Sequence, residues 1–424
     1  MKPILKTLPN GLRTLIIPMK DTPAVTAMVL VAAGAEHEKP SEHGLAHFLE
    51  HMCFKGTEKR PSALAIMREL EGLGARTNAF TGRQITGYHV KAQSRHLPKV
   101  LDIIADLYRN PIFPEVEMEK EKGVVIEEIN MFEDMPQYKV DDVFDTLLFG
   151  DTPQGKTIIG TKQSVRSFTR DDLVRFRYAH YHADSSLVVV AGACDPKETY
   201  ALLKELFGEV ATGVHPQNRP LKKTNTNERV AIGYKKSEQT HLILGTRGLP
   251  VGHKEEVTQS LLATILGGSM SSRLFHKLRE EMGACYYVSA SANTYAQYGI
   301  FSVSAGIPAK RLQEVVSVVV EELARISDEE VTPEELKIAQ NVTASGLVLG
   351  LETSNSLAHF YGAQEIMRLA RKTPKELTRE IRAVTTGDIR RLARKLLAPD
   401  ALHLAVVGPI KGEEKLARIL RQSS

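Results

Sequence analysis

Residues 169–173 read TRDDL and are followed at 186–192 by SLVVVAG; the same order returns as TTGDI at 385–389 and ALHLAVVG at 401–408. Thr169 and Thr385, Asp172 and Asp388, and Gly192 and Gly408 are each 216 residues apart. A constant offset across a helix start and the strand after it implies duplication of a whole domain. In each half, Val/Ile-rich strands alternate with helical patterns, and the chain opens on a hairpin-like LPNGLRTLIIP with an Asn10-Gly11 turn. The expected fold class is α+β: two similar domains, each a mainly antiparallel sheet with helices packed on one face. Between them, EVATGVHPQNRPLKKTNTNERV at 209–230 mixes Pro, Gly, Asn and charge without a hydrophobic period, as an exposed linker does. The boundaries read from this are a first domain at 1–210, a linker at 211–230 and a second domain at 231–424.

Composition agrees with two domains. A chain of 424 residues exceeds what one core usually serves, and 42% hydrophobic with 25% charged residues is the balance of a globular protein. The net charge of +4, from 55 basic and 51 acidic residues, comes without a long basic block, which argues against nucleic acid as a partner. The apolar stretch AVTAMVLVAAGA at 24–35 is shorter than the roughly 20 residues a membrane helix needs and is rich in β-formers, so it reads as a buried strand. No membrane association is expected. Cys53, Cys194 and Cys285 lie far apart with no C-x-x-C pair, so neither a disulfide framework nor a thiolate metal site is indicated. The N-terminal stretch has no continuous apolar core and no A-x-A-like cleavage site, which makes the cytoplasm the expected compartment.

The chemistry concentrates in SEHGLAHFLEHMCFKGT at 41–57, where His47, Glu50 and His51 are spaced H-x-x-E-H. On a helix, His47 and His51 lie one turn apart on one face and can reach one ion, while Glu50 stands beside it with a free carboxylate. This is the inverse of the H-E-x-x-H peptidase signature. His43 is also four residues from His47, but a helix would place it about 12 Å from His51, too far to share an ion. A helix-start or supporting role is expected for it. A catalytic zinc takes a third protein ligand, and the helical stretch 114–134 offers Glu121, Glu127 and Glu128. Glu121 and Glu128 share a face, whereas Glu127 points about 100° away. Periodicity alone leaves the ligand open, and a solvated acidic helix would show the same pattern.

These segments, together with GARTNAFT from 74, VVIEEI from 124, LGGSMSSRLF from 266 and LREEMGACYY from 278, resemble the pitrilysin, insulysin and mitochondrial processing peptidase family of zinc peptidases over essentially the whole chain. The resemblance implies one Zn2+ per chain held by His47, His51 and Glu128, with Glu50 as the catalytic base and Glu121 as a supporting carboxylate. It implies that Asn78, Ala79 and Phe80 lie along the bound peptide, and that Arg279 and Tyr286 contact substrate near the scissile bond. GACYY departs from the more usual G-L-x-Y run, so Tyr287 is a rival to Tyr286. Matching Gly34 to Gly248 places Leu261, Thr264 and Ile265 where His47, Glu50 and His51 stand, so the second half is expected to hold no metal.

The implied activity is zinc-dependent endopeptidase cleavage of extended or unfolded peptides, with Glu50 taking a proton from the attacking water. Family members enclose a chamber with four such domains, so a two-domain chain is expected to pair, as a homodimer or as a heterodimer with a metal-free relative. A non-catalytic scaffold subunit and a structural zinc protein are the readings from other classes.

Overall fold

The computed structural model of the chain describes residues 2–215, 221 and 228–422. Residues 216–220 and 222–227, within the expected linker at 211–230, lie outside the described residues.

The first sheet has six strands: β1 (Ile4–Thr7), β2 (Arg13–Pro18), β3 (Ala24–Val31), β4 (Arg76–Thr81), β5 (Thr86–Gln93) and β6 (Ser186–Gly192). Their order is β1-β2-β6-β3-β5-β4, and every pair is antiparallel except β2 with β6. The second sheet has β7 (Val230–Tyr234), β8 (Gln239–Gly248), β9 (Tyr287–Thr294), β10 (Gly299–Pro308) and β11 (His403–Gly408), ordered β7-β11-β8-β10-β9. It too is antiparallel but for one pair, β7 with β11. The two sheets therefore share one wiring, which is the structural form of the repeat in the sequence.

The repeated TRDDL and TTGDI segments are matching helix caps. Thr169 and Thr385 each accept a hydrogen bond from the backbone N–H three residues on, and Asp172 and Asp388 each accept one back from the Thr backbone at 2.8 and 2.9 Å. Such reciprocal boxes satisfy two otherwise orphaned donors. The helices they open are Arg170–His180 and Thr386–Leu396.

The chain opens as its Asn10-Gly11 pair suggests. Gly11 adopts φ +88 between β1 and β2, and the Asn10 amide donates to the carbonyls of Phe207 and Val210, both at 2.9 Å. The apolar run at 24–35 begins as β3, whose alternate residues bury on opposite faces. Val25, Ala27, Val29 and Val31 join the core under helices Leu45–Cys53 and Leu97–Arg109, while Met28 and Leu30 join a second core on the other face.

That second core corrects the expectation of helices on one face only. Helix Ser354–Ile366 buries Leu357, Ala358, Tyr361 and Ile366 against Leu15, Ile17, Met28, Leu30, Leu187 and Val189. In the second sheet, helix Pro136–Phe149 does the same work, with Val140, Phe144 and Leu148 against Ile243, Ile300, Ala405 and Val407. The compact units accordingly interleave along the chain. One comprises Met1–Ile129, Thr157–Arg219 and Leu349–Arg371; the other comprises Asn130–Lys156, Pro220–Val348 and Lys372–Ser424.

Candidate metal centre

Helix Leu45–Cys53 follows β3 and buries Leu45, Phe48, Leu49 and Met52 in the first unit's core, which leaves His47, Glu50 and His51 along its other side. The imidazoles of His47 and His51 stand with ring centroids 4.6 Å apart. Opposite them runs helix Glu115–Asp134, anchored by buried Met118, Val125 and Ile129, which sends Glu121 and Glu128 toward the pair while Glu127 is exposed. Among the described residues, one group could hold a metal ion: His47, His51 and Glu128, with ligand atoms all within 4.8 Å of one another.

The donor geometry suits a cation. The Nε2 atoms of His47 and His51 each lie 3.8 Å from the same oxygen, Oε2 of Glu128. That is beyond hydrogen-bonding reach and close to the roughly 3.3 Å separating two ligands of a tetrahedral zinc with bonds of about 2.0–2.1 Å. The three groups converge without satisfying one another, and two imidazoles with one carboxylate form a known catalytic zinc set.

The surrounding groups distinguish the two histidines. Glu121 Oε1 lies 2.8 Å from His51 Nδ1, and Glu121 Oε2 lies 2.5 Å from Lys55 Nζ. Burial would raise the Glu121 pKa, but the hydrogen bonds from His51 and Lys55 outweigh it and hold the carboxyl below its usual value. For His51, burial acts downward, yet the bond to Glu121 and the nearby carboxylates carry the pKa above normal. His47 has no such support: its Nδ1 is buried without a hydrogen-bond partner, and burial together with His51 pushes its pKa down to about 4. His47 is thus neutral, the form in which imidazole donates to a metal.

Glu50 is held apart from these ligands. Its Oε2 accepts a 2.6 Å hydrogen bond from the Thr81 hydroxyl, and burial pushes its pKa up against that bond and the nearby His51. Thr81 ends β4, the edge strand of its sheet, which also carries Asn78, Ala79 and Phe80. Asn78 is exposed, Ala79 packs against the main core, and the Phe80 ring lies 5.6 Å from that of His359. His43 falls just before the helix and binds the carbonyl of Thr157 at 2.8 Å, a structural bond. Cys53 is fully buried, with its thiol pushed up to about 11, and takes no part.

Arg279 and Tyr286 meet in the second unit. The Arg279 guanidinium donates to the Tyr286 carbonyl at 2.9 Å from a π-helical segment, Phe275–Glu281. The two tyrosines differ sharply in exposure. The Tyr287 hydroxyl is engaged by His241 Nδ1 at 3.0 Å, whereas the Tyr286 side chain is 74% exposed. Helix Glu256–Gly267, which carries Leu261, Thr264 and Ile265, buries its leucine and isoleucine and offers no metal donors at those positions.

Thr81, Lys55 and Glu121 show how far the local pattern reaches. Thr81 and Lys55 lie inside quoted motifs, but nothing in their spacing announces a bond to Glu50 or to a carboxylate 66 residues away.

Residues 13–162 match the family described as Insulinase (Peptidase family M16), and residues 167–343 match the one described as Peptidase M16 inactive domain. An "uncharacterized zinc protease", YmxG of Bacillus subtilis, is 34% identical over 95% of this chain and 97% of its own. A Mycobacterium leprae protein of the same description is 34% identical over 98% of this chain and 94% of its own. The chain belongs to peptidase family M16. Solved structures share its fold. A Helicobacter pylori protease superposes with a TM-score of 0.89 at 22% identity, covering 96% of this chain and 99% of that one. A peptidase M16 inactive domain from Pseudomonas fluorescens gives 0.90 at 18%, with coverage of 97% and 99%. The periplasmic protease PqqL of Escherichia coli gives 0.83 at 20%, covering all of this chain but 50% of that longer one. Among the described residues, no helix is long and apolar enough to cross a membrane.

Proposed function

We propose that this M16 chain is a zinc-dependent endopeptidase acting on extended or unfolded peptides. The observation that carries the reading is the convergence of His47, His51 and Glu128 with Glu50 held beside them but outside the ligand set. The residues that would hold zinc are His47, His51 and Glu128, one ion per chain. When bound, the ion would supply Lewis acidity to water and to a peptide carbonyl.

The chain's own groups do the rest. Glu50 takes the proton of the attacking water and returns it to the departing amine, and its raised pKa brings it nearer the working pH of a general base. Thr81 holds that carboxylate in one orientation. The free edge of β4 accepts an extended peptide as an added strand, so main-chain hydrogen bonds give affinity with modest sequence preference, and Asn78, Ala79 and Phe80 line it. Arg279 and exposed Tyr286 serve as substrate contacts, Tyr286 as a donor toward developing negative charge.

Pairing into a homodimer, with a heterodimer with a metal-free relative as the competitor, belongs to the same reading. Its support is that this fold spans half of the PqqL chain. A cytoplasmic setting belongs to the same reading, and its support is three free cysteines.

The deciding experiment measures cleavage of an unfolded peptide and zinc content for wild type and Glu50→Gln. Cleavage by wild type, and a zinc-loaded but inactive variant, are expected. A wild type that holds zinc without cutting would move the chain to a scaffold role; equal cleavage by both would remove Glu50 as base. Light scattering should give twice the chain mass.

A further inference from the structure

The metal helix begins without the side-chain cap that several helices of the same unit have. Helices Ala63–Gly72, Arg170–His180 and Pro196–Phe207 in the same unit are opened by Ser62, Thr169 and Asp195, whose side chains accept first-turn N–H groups. Before Leu45–Cys53 stands Gly44 at φ +91, with no side chain to offer. None could be placed there, because a Cβ at Gly44 would come within 2.7 Å of Gly160 Cα and of the Ile159 carbonyl. The donors that a helix start leaves open need another acceptor.

That acceptor is Glu38. Its Oε2 takes the N–H of Gly44 and its Oε1 takes the N–H of Ala46, both at 2.8 Å, from a side chain 5% exposed. A carboxylate bound through both oxygens to the first turn fixes the turn's rotation as well as its depth, and its charge suits the helix N-terminus. Ala46 immediately precedes His47.

Glu38 is itself tied to the machinery at the other end of the site. It lies on a strap of two short 3-10 turns, Ala35–His37 and Pro40–Glu42. The strap is stitched to the β4–β5 turn: Ala35 and Glu36 donate to the carbonyls of Gly82 and Arg83 at 3.2 and 2.8 Å, and the Gln84 amide donates to Glu36 at 3.0 Å. The residue before that turn is Thr81, which binds Glu50. One hairpin therefore references both the start of the helix, through Glu38, and the base, through Thr81.

We propose that Glu38 is a positioning residue for the metal centre, aiming His47 through the backbone as Glu121 aims His51 through its side chain. The asymmetry between the histidines motivates this: His51 Nδ1 has a carboxylate partner and His47 Nδ1 has none, so the orientation of His47 comes from the turn that carries it. The proposal rests on the zinc-peptidase reading above.

The test compares zinc affinity, by competition with a chelator on the full chain, for wild type, Glu38→Gln and the control Asp195→Asn. Asp195 caps another helix of the same unit by accepting two N–H groups at 2.8 and 2.9 Å, both on Oδ1, so it supplies a carboxylate cap away from the metal as a control for loss of charge. A glutamine offers one acceptor where two are needed and turns a donor toward the other N–H. Glu38→Gln should lose about tenfold or more in zinc affinity, the range seen when a ligand's support is removed, and its cobalt-substituted form should show an altered visible spectrum. Asp195→Asn should bind zinc and cobalt as wild type does, even if it melts lower. Glu38→Gln within about twofold of wild type, or an equal loss in Asp195→Asn, overturns the proposal. Should Glu38→Gln not fold, Glu38→Asp, which keeps the charge but shortens its reach by one methylene, carries the same expectation and the same refutation. A wild type that binds no zinc defeats the peptidase reading and this one together; a wild type that binds zinc and cleaves peptide beside an unaffected Glu38→Gln defeats this one alone.

Discussion

Glu121 and Glu128 sit two turns apart on one helix yet have separate tasks, because one is tied up by His51 and Lys55 and the other faces both imidazoles. Glu121→Gln removes the charge that supports His51 while leaving the ligand set intact. Its zinc affinity is expected to fall by about 10- to 100-fold, with the peptide KM little changed when zinc is in excess. Chelator competition and steady-state kinetics check both halves, and an unchanged affinity would show that Glu121 merely pairs with Lys55. Much at this scale was legible. The H-x-x-E-H spacing already placed two imidazoles and an acid on one helical turn, and the seven-residue interval paired Glu121 with Glu128. Which glutamate faces the pair was not legible from periodicity, since period reports a face and not what lies across from it. The bonds of Thr81, Lys55 and Glu38 were hidden for the same reason.

After the metal helix in the chain, Arg60 fastens two helices of the first unit together. Its guanidinium binds Glu69 on helix Ala63–Gly72 and both Asp102, at 2.5 Å, and Asp106, at 2.7 Å, on helix Leu97–Arg109. Asp106 and Arg60 are buried, so Arg60→Ala strands a carboxylate and is expected to cost about 3–5 kcal/mol, read as a lower urea midpoint. The pH dependence has a defined sign. Burial acts to raise Glu69 and Asp102, but their bonds to Arg60 and to Lys99 or Lys59 hold both below their usual pKa. Their contribution is therefore fully present above the unfolded values of about 4.3 for Glu69 and about 3.9 for Asp102 and is lost as pH falls through the lower folded ones. The gap in urea midpoint between wild type and Arg60→Ala should be constant from pH 7 to about 5 and narrow below about 4. Several elements were plain beforehand: the two repeated helix starts, the Asn-Gly hairpin and the apolar run that became β3. The π-helical turn bearing Arg279 was not, because its residues suit an ordinary helix and the change lies in backbone pairing alone.

On the scale of the whole chain, the repeat announced two like sheets, and the structure adds that each is finished by a helix from elsewhere in the sequence. Helix Ser354–Ile366 is held to the first sheet by its apolar face and by Arg13, which donates to the Glu365 carbonyl at 2.7 Å and to its carboxylate at 2.6 Å. An amphipathic pattern says that a helix has a partner without saying which sheet it is. A fragment ending at residue 215 would leave Leu15, Ile17, Met28, Leu30, Leu187 and Val189 uncovered. Such a fragment is expected to bind a hydrophobic dye and to elute as aggregate, and fusing residues 349–371 to its end through a flexible spacer should restore a discrete, zinc-binding species. A well-behaved monomer from the short fragment would show that the added helix is dispensable.

The late arrival of that helix also sets a timetable for synthesis. The last strand of the first sheet is complete at Gly192, but its covering helix ends at Ile366. At about 5–20 residues per second, the nascent chain spends on the order of ten seconds or more with one oily side of a finished sheet bare. Dependence on a holding chaperone during translation is thus written into the order of the elements, and it should be relieved in a circular permutant that delivers the covering helix first.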